Sequence, residues 1–159
     1  MKYSKSFLIF RRRLSKVILE SMGWKFRGQD PEASKRQIIF VNTLSSIEKW
    51  WMRQLTATES YFVDIKDKDT FIEKFNSQVT LLVIWSKDLS PSYLKNLFEI
   101  ATEKEAKISA CAWDTTHKAI KFHSQFKPSP YSERDIRYLE RFFVFFKKVW
   151  IRSAELTCY

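Results

Sequence analysis

Few side chains in this sequence can act as bases, nucleophiles or metal ligands, and their spacing narrows what they can do. There are two histidines, His117 and His123, two cysteines, Cys111 and Cys158, and two glycines, Gly23 and Gly28. The cysteines cannot build a disulfide framework, and no Cys/His spacing matches a zinc site. A reducing compartment is the default, and Cys111, inside an apolar run, reads as a small core residue. At an ordinary usage of roughly 7% a chain this long would hold about eleven glycines. With none after Gly28 there is no P-loop, dinucleotide fingerprint, kinase Gly-rich loop or Gly-x-Ser-x-Gly elbow. No metal and no cofactor is expected. Asn42, Thr43, Ser45 and Ser46 make a polar stretch, but a serine without a neighbouring His or Lys is a poor nucleophile at neutral pH. Asp114, His117 and His123 sit beyond the other apolar runs and read as exposed or singly hydrogen-bonded residues, not as a triad.

The elements that would position these residues follow from hydrophobic periodicity. The chain has 159 residues, 45% apolar and 16% aromatic, enough for one domain with a sizeable core. Residues 37–42, 60–65, 80–85 and 107–113 read as strands, and 117–122 as a weaker last strand. The run Thr80 to Trp85 is apolar throughout, as a central strand buried on both faces requires. Residues 45–56, 69–75 and 90–105 read as helices, the last with Pro91 in its first turn. Strands alternating with helices predict an α/β fold with a mixed, mostly parallel sheet sandwiched by helices.

The net charge of +10 is concentrated at the two ends. Residues 1–27 carry eight basic side chains against Glu20, and residues 121–152 carry eight against three acidic ones. The stretch between them is close to neutral, unlike a uniformly basic nucleic-acid binder. Residues 1–22 are expected to be a basic amphipathic helix preceding a single domain over 23–159. Phe7, Phe10, Leu14, Val17, Ile18 and Met22 recur at three- and four-residue spacing in a stripe widened by Leu8 and Ile9, with Arg11, Arg12, Arg13 and Lys16 beside or opposite it. That pattern suits a helix lying in a membrane interface, its apolar face in the acyl boundary and its cations among anionic headgroups. It also suits a helix packed on its own domain. No window approaches the ~18 uninterrupted apolar residues of a membrane span, and the run Phe7 to Phe10 is too short for a signal peptide. At the other end Ser132 is a plausible N-cap with Asp135 three residues on. Ile136, Leu139, Phe143, Phe146 and Trp150 then form a stripe widened by Phe142. This face, through Phe142, Phe143, Phe146 and Trp150, is either core or a contact for a protein partner.

The order of elements from Gly23 onward resembles the lysophosphatidic acid acyltransferase family (PlsC-like glycerolipid acyltransferases), particularly its short bacterial members. Gly23-Trp24, Gly28 and Pro31 are similar to the family's opening. Ile38 to Val41 with Asn42 to Ser46 resembles the strand and loop that carry a His-x4-Asp motif. Val63-Asp64 resembles the strand before a phosphate-binding Arg. Tyr93 to Ala101 resembles the helix after a Glu-Gly-Thr-Arg motif, and Ala106-Lys107-Ile108, Trp113-Asp114 and Lys118-Ala119-Ile120 resemble the last strand pair. The likeness spans about residues 22–146.

The resemblance implies an α/β sandwich, membrane attachment through N-terminal amphipathic helices, and acyl transfer to a glycerophosphate hydroxyl with a His–Asp pair as general base. The motif positions do not carry that chemistry. The His would fall at Thr43 or Leu44, beside Ser45 and Ser46, and the Asp at Glu48 or Lys49. The phosphate-binding Arg would fall at Ile65, with Lys66 beside it, and Glu-Gly-Thr-Arg at Ser86, Lys87, Asp88 and Leu89. The expectation is therefore a catalytically degenerate homologue, peripheral on the cytoplasmic face of the membrane. It would bind an anionic membrane surface, a lipid or an acyl chain, or serve as a non-catalytic partner subunit. An active acyltransferase acting on a lysophospholipid through a non-standard site is one alternative. A basic nucleic-acid- or ribosome-associated protein is another, against which the neutral middle argues.

Overall fold

Runs that are apolar on both faces belong inside a parallel sheet covered on both sides, and that is where they lie. A computed structural model describes residues 4–28, 36–42, 45–63, 80–85, 91–123, 125–128 and 133–144. Its elements in chain order are α1 (Lys5–Ser21), β1 (Lys25–Arg27), β2 (Gln37–Asn42), α2 (Ser46–Gln54), β3 (Ser60–Phe62), β4 (Thr80–Trp85), α3 (Pro91–Glu103), β5 (Lys107–Asp114) and β6 (Ala119–Phe122). A helix over 133–144, α4, follows. The sheet order is β1-β6-β5-β2-β4-β3. The four strands β5, β2, β4 and β3 are parallel, β6 runs antiparallel to β5, and β1 runs parallel to β6. The expected α/β class, with a mixed and mostly parallel sheet, is the one observed. The helix expected over 69–75 lies outside the described residues.

Alternate residues of the central strands feed two separate cores. Ile38 and Phe40 of β2, Leu81 and Val83 of β4, and Ile108, Ala110 and Ala112 of β5 face Leu94, Leu97, Phe98 and Ala101 of α3 and Leu139 and Phe143 of α4. Their neighbours Ile39, Val41, Leu82, Cys111 and Trp113 face the other way, toward Leu19 of α1 and Met52 at the end of α2. Cys111 is a buried core residue, as expected. So α1 and α2 cover one face of the sheet, and α3 and α4 the other.

Local chemistry sets the limits of α1. Ser4 caps its start by accepting from the Phe7 N–H at 3.2 Å. At its end Gly23 adopts φ +93°, and the amides of Gly23 and Trp24 donate back to Glu20 and Leu19. This is the left-handed stop that glycine makes without steric penalty. Lys118 Nζ adds a cation on the Met22 carbonyl at 3.1 Å. Gly28, at φ +80°, lies so close to β6 that a Cβ would stand 2.0 Å from the Phe122 carbonyl oxygen. Both glycines therefore serve the backbone: Gly23 stops α1, and Gly28 permits the close approach to β6. Strand β1 was not expected. It is three residues with one apolar side chain, Phe26, and exists through its pairing with β6, which local sequence does not reveal.

Candidate functional site

In open α/β sheets ligands bind beyond the carboxyl ends of the parallel strands. Here that end gathers Asn42, Ser45 and Glu48 from the β2–α2 connection and Asp114, Thr115 and His117 from the β5–β6 turn. Thr115 Oγ1 donates to Glu48 Oε2 at 3.3 Å, joining the two groups. These include the loop where the resemblance puts a general base and its carboxylate.

Each polar side chain here has a structural partner. Asn42 Nδ2 donates to the Trp113 carbonyl at 2.7 Å, and its Oδ1 accepts from the Trp113 amide at 2.7 Å. The side chain thus acts as one more rung of the β2–β5 ladder. Ser45 caps α2: its Oγ accepts from the Glu48 amide at 3.4 Å, and Glu48 Oε1 accepts from the Ser45 amide at 2.9 Å. This reciprocal capping box occupies one oxygen of Glu48, and Thr115 occupies the other. Glu48, one of the two positions expected for the Asp, keeps a carboxylate but uses it to hold a helix. Ser46 is exposed in the first turn of α2, and Lys49 is exposed on the helix with its Nζ 5.8 Å from the Phe62 ring centroid. Thr43, Leu44, Ile65, Lys66, Ser86, Lys87, Asp88 and Leu89 lie outside the described residues.

The two histidines are kept apart by their backbone pairing. His117 belongs to the turn after β5, where Asp114 Oδ2 lies 2.8 Å from its Nδ1 and Asp114 Oδ1 accepts from its amide at 3.2 Å. A carboxylate that holds Nδ1 fixes the ring's orientation. The pair is closed within one tight turn, however, and braces it. His123 pairs through its amide with Ala110 in mid-β5, and its ring lies among Phe126, Tyr138 and Phe142 at 5.1–6.1 Å between centroids.

Trp113, whose backbone Asn42 holds, sends its side chain into the core on the α1/α2 face. Its side chain is 3% exposed, its Nε1 lies 3.3 Å from Met52 Sδ, and Trp24 meets it edge-on at 5.2 Å. Trp50 points outward, and Trp85 stacks on Phe143 on the opposite face of the sheet. Sequence reasoning did not foresee the tie between Asn42 and the Trp113 backbone; an Asn ending β2 was the available sign that this strand end is held to a neighbour. A cleft of about 380 Å³ lies at the other end of β5, beside Thr102, Glu105, Lys107 and Lys127. Among the described residues no group of three or more His, Cys, Asp or Glu side chains could hold a metal ion.

The surface of α1 is the second candidate. It docks on the sheet through Leu8, Ser15 and Leu19; Leu8, expected to widen the outward stripe, is buried instead, and Ile9 is half-buried. That stripe, Phe7, Phe10, Leu14, Val17, Ile18 and Met22, remains 38–62% exposed. Arg13 is exposed, Arg12 is half-buried, and Lys16 places its Nζ 5.1 Å from the Phe26 ring centroid. Arg11, expected among the headgroup-binding cations, is placed otherwise. Its Nη2 donates to the carbonyls of Arg53, Thr56 and Thr58 at 3.2–3.5 Å, so it fastens α1 to the end of α2. No described helix is long and apolar enough to cross a membrane. Of the rings expected to meet a partner, Phe143 is buried and Phe142 half-buried in the core beneath α4, while Phe146 and Trp150 lie outside the described residues.

Fold and sites together define an α/β protein with a mostly parallel sheet, a polar strand-end edge used for bracing, and one helix whose apolar stripe faces outward. No family model, no curated protein and no solved structure matches the chain.

Proposed function

We propose that this chain is a peripheral protein of anionic membrane surfaces, built on a degenerate glycerolipid-acyltransferase-like scaffold and without acyl-transfer activity. One observation carries the reading: a folded domain that buries Leu8, Ser15 and Leu19 leaves the six-residue apolar stripe of α1 open, within its most basic segment. Contiguous exposed apolar surface of this kind marks an interaction site. An apolar stripe bordered by Arg and Lys matches the lipid–water boundary, where each cation near an anionic surface contributes about 1 kcal/mol.

The loss of chemistry is supported by the strand-end edge. Acyl transfer needs a base within reach of the acceptor hydroxyl, and such a base typically contributes about 10²–10⁴-fold. The sequence has no His-x4-Asp, and Glu48 is committed to Ser45 and Thr115. The order of elements and the mostly parallel sheet are compatible with the scaffold named here.

The test uses the purified full chain. It is expected to float with vesicles of phosphatidylcholine and phosphatidylglycerol, to release as salt is raised, and to bind pure phosphatidylcholine weakly. The double variant Phe10→Ser/Val17→Ser is expected to lose flotation while keeping its melting temperature. Indifference to anionic vesicles, with salt-sensitive RNA binding in its place, would overturn the membrane assignment. Enzyme-like transfer from an acyl thioester to lysophosphatidic acid would overturn the pseudoenzyme assignment.

A further inference from the structure

Helix α2 carries an apolar pair that its capping role does not explain. Ile47 is 63% exposed and Trp50 51% exposed, although Trp is a side chain that folding usually covers. Which way they face follows from helix geometry. Residues advance by about 100° around an α-helix, and the flanks of both helices are marked by contacts. On α1, Lys16 leans over Phe26 of β1, one edge strand, and Arg11 reaches the end of α2. The exposed stripe of α1 runs from the Arg11 flank round to the outer surface, so it tilts toward α2. On α2, Lys49 leans over Phe62 of β3, the opposite edge strand. Ile47 falls on the contrary flank, facing α1, and Trp50 on the outer surface. The two apolar faces therefore converge.

They also lie at the same height. Helix α1 ends where Lys25 pairs beside Ala119, level with Asp114 at the carboxyl end of β5. Helix α2 begins beyond Asn42, at that same end of β2. The helices are thus antiparallel neighbours. With Arg11 beside Arg53, a rise of about 1.5 Å per residue brings Leu14 level with Trp50 and Ile18 level with Ile47, to within about a turn.

We infer that Ile47 and Trp50 form the second half of a single membrane-contacting face, so that the whole α1/α2 layer lies flat on an anionic bilayer and the α3/α4 layer faces water. This rests on the membrane-surface reading of α1 and extends it to a part of the chain beyond the N-terminal helix. Charge complementarity selects the lipid as occupant. The layer carries the exposed cations Arg13, Lys25 and Lys49 against the exposed Glu20, with Lys16 half-buried over Phe26 and Arg53 holding the Ser60 carbonyl through its Nε at 3.1 Å. Trp is favoured at lipid–water boundaries because its ring is apolar and its N–H is polar.

Three double variants of the full chain decide the matter, each at exposed positions and each checked for an unchanged melt. Phe10→Ser/Val17→Ser removes the α1 half, Ile47→Ser/Trp50→Ser the α2 half, and Tyr138→Ser/Val144→Ser an equally exposed pair on α4. Partition onto phosphatidylcholine/phosphatidylglycerol vesicles is expected to fall roughly tenfold or more for each of the first two and to stay unchanged for the third. Bromine-labelled acyl chains are expected to quench the wild-type tryptophan emission more than that of Trp50→Phe. If only the α1 variant loses binding, and Trp50→Phe quenches as wild type does, the inference falls and the α1 reading stands. If neither variant loses binding, both fall. If Ile47→Ser/Trp50→Ser instead abolishes self-association without lipid and leaves vesicle binding intact, the pair is a contact between copies and the inference is overturned.

Discussion

On one side of the sheet α3 turns Leu94, Leu97, Phe98 and Ala101 inward against Phe40, Val83 and Ala110. On the other side α1 turns only Leu8, Ser15 and Leu19 inward and leaves Phe10 and Val17 more than half exposed. Both helices are amphipathic, so periodicity alone ranks them as equals. The difference lies in what holds them down. Helix α3 is anchored by apolar area, with Phe98 stacked over Phe40 at 6.2 Å. Helix α1 has a narrow apolar strip and is fastened by polar and backbone devices: Arg11 on three carbonyls, the Gly23 stop, and Lys118 on Met22. A helix attached in this way can keep its larger apolar face for another surface. The lesson is that an amphipathic helix tells how a segment pairs with an interface, but not which interface.

The largest expected effect tests this asymmetry at its centre. Phe98→Ala should destabilise the fold by about 3–5 kcal/mol, because a fully buried ring leaves a cavity. Phe10→Ala should change stability by less than about 0.5 kcal/mol. Urea denaturation of both variants measures the contrast, and comparable losses would mean that α1 uses its stripe for packing. Next in size is Arg11→Ala. Losing a guanidinium that satisfies several carbonyls should cost about 1–3 kcal/mol, with faster amide exchange in α1 and at the end of α2. Arg13→Ala, at an exposed position, should leave stability alone and weaken vesicle binding. A reversal of that pattern would return Arg11 to the headgroup-binding set. The smallest effect concerns the strand-end edge. Glu48→Ala should cost about 1 kcal/mol as a lost cap, and Glu48→Gln should recover most of it because a Gln side chain can also accept from Ser45. Thermal melts of the pair distinguish a cap, which tolerates Gln, from a charge that orients a base, which does not.

Much of the framework is legible in the sequence. Strands β2 and β4 coincide with the apolar runs 37–42 and 80–85, because strands buried on both faces need no partner to be recognised. Helix α2 lies within the stretch 45–56 that reads as helical from its apolar spacing, while its capping box of Ser45 and Glu48 is a finding of the structure. Strand β1 was not legible, since Lys25, Phe26 and Arg27 have no strand pattern and are ordered by β6, over ninety residues away. The candidate site was legible as residue types but not as roles. Glu48 and Asn42 were visible as polar groups in a loop, while their partners Thr115 and Trp113 arrive from a distant strand. The C-terminal rings Phe142 and Phe143 read as core or as a contact, with core the readier account of so wide an apolar face, and packing against Trp85 and His123 places them in the core.

The sequence by itself determined the α/β class, the central strands, the basic N-terminal helix and the absence of any phosphate loop. These depend on composition and on periods of two and 3.6 residues, which are local properties. Only the tertiary structure decided which face of α1 is buried, that Arg11 is a fastening, and that both oxygens of Glu48 are taken up by Ser45 and Thr115. Each of those depends on two segments far apart in the chain meeting in space, and no local pattern encodes which partner a side chain will find.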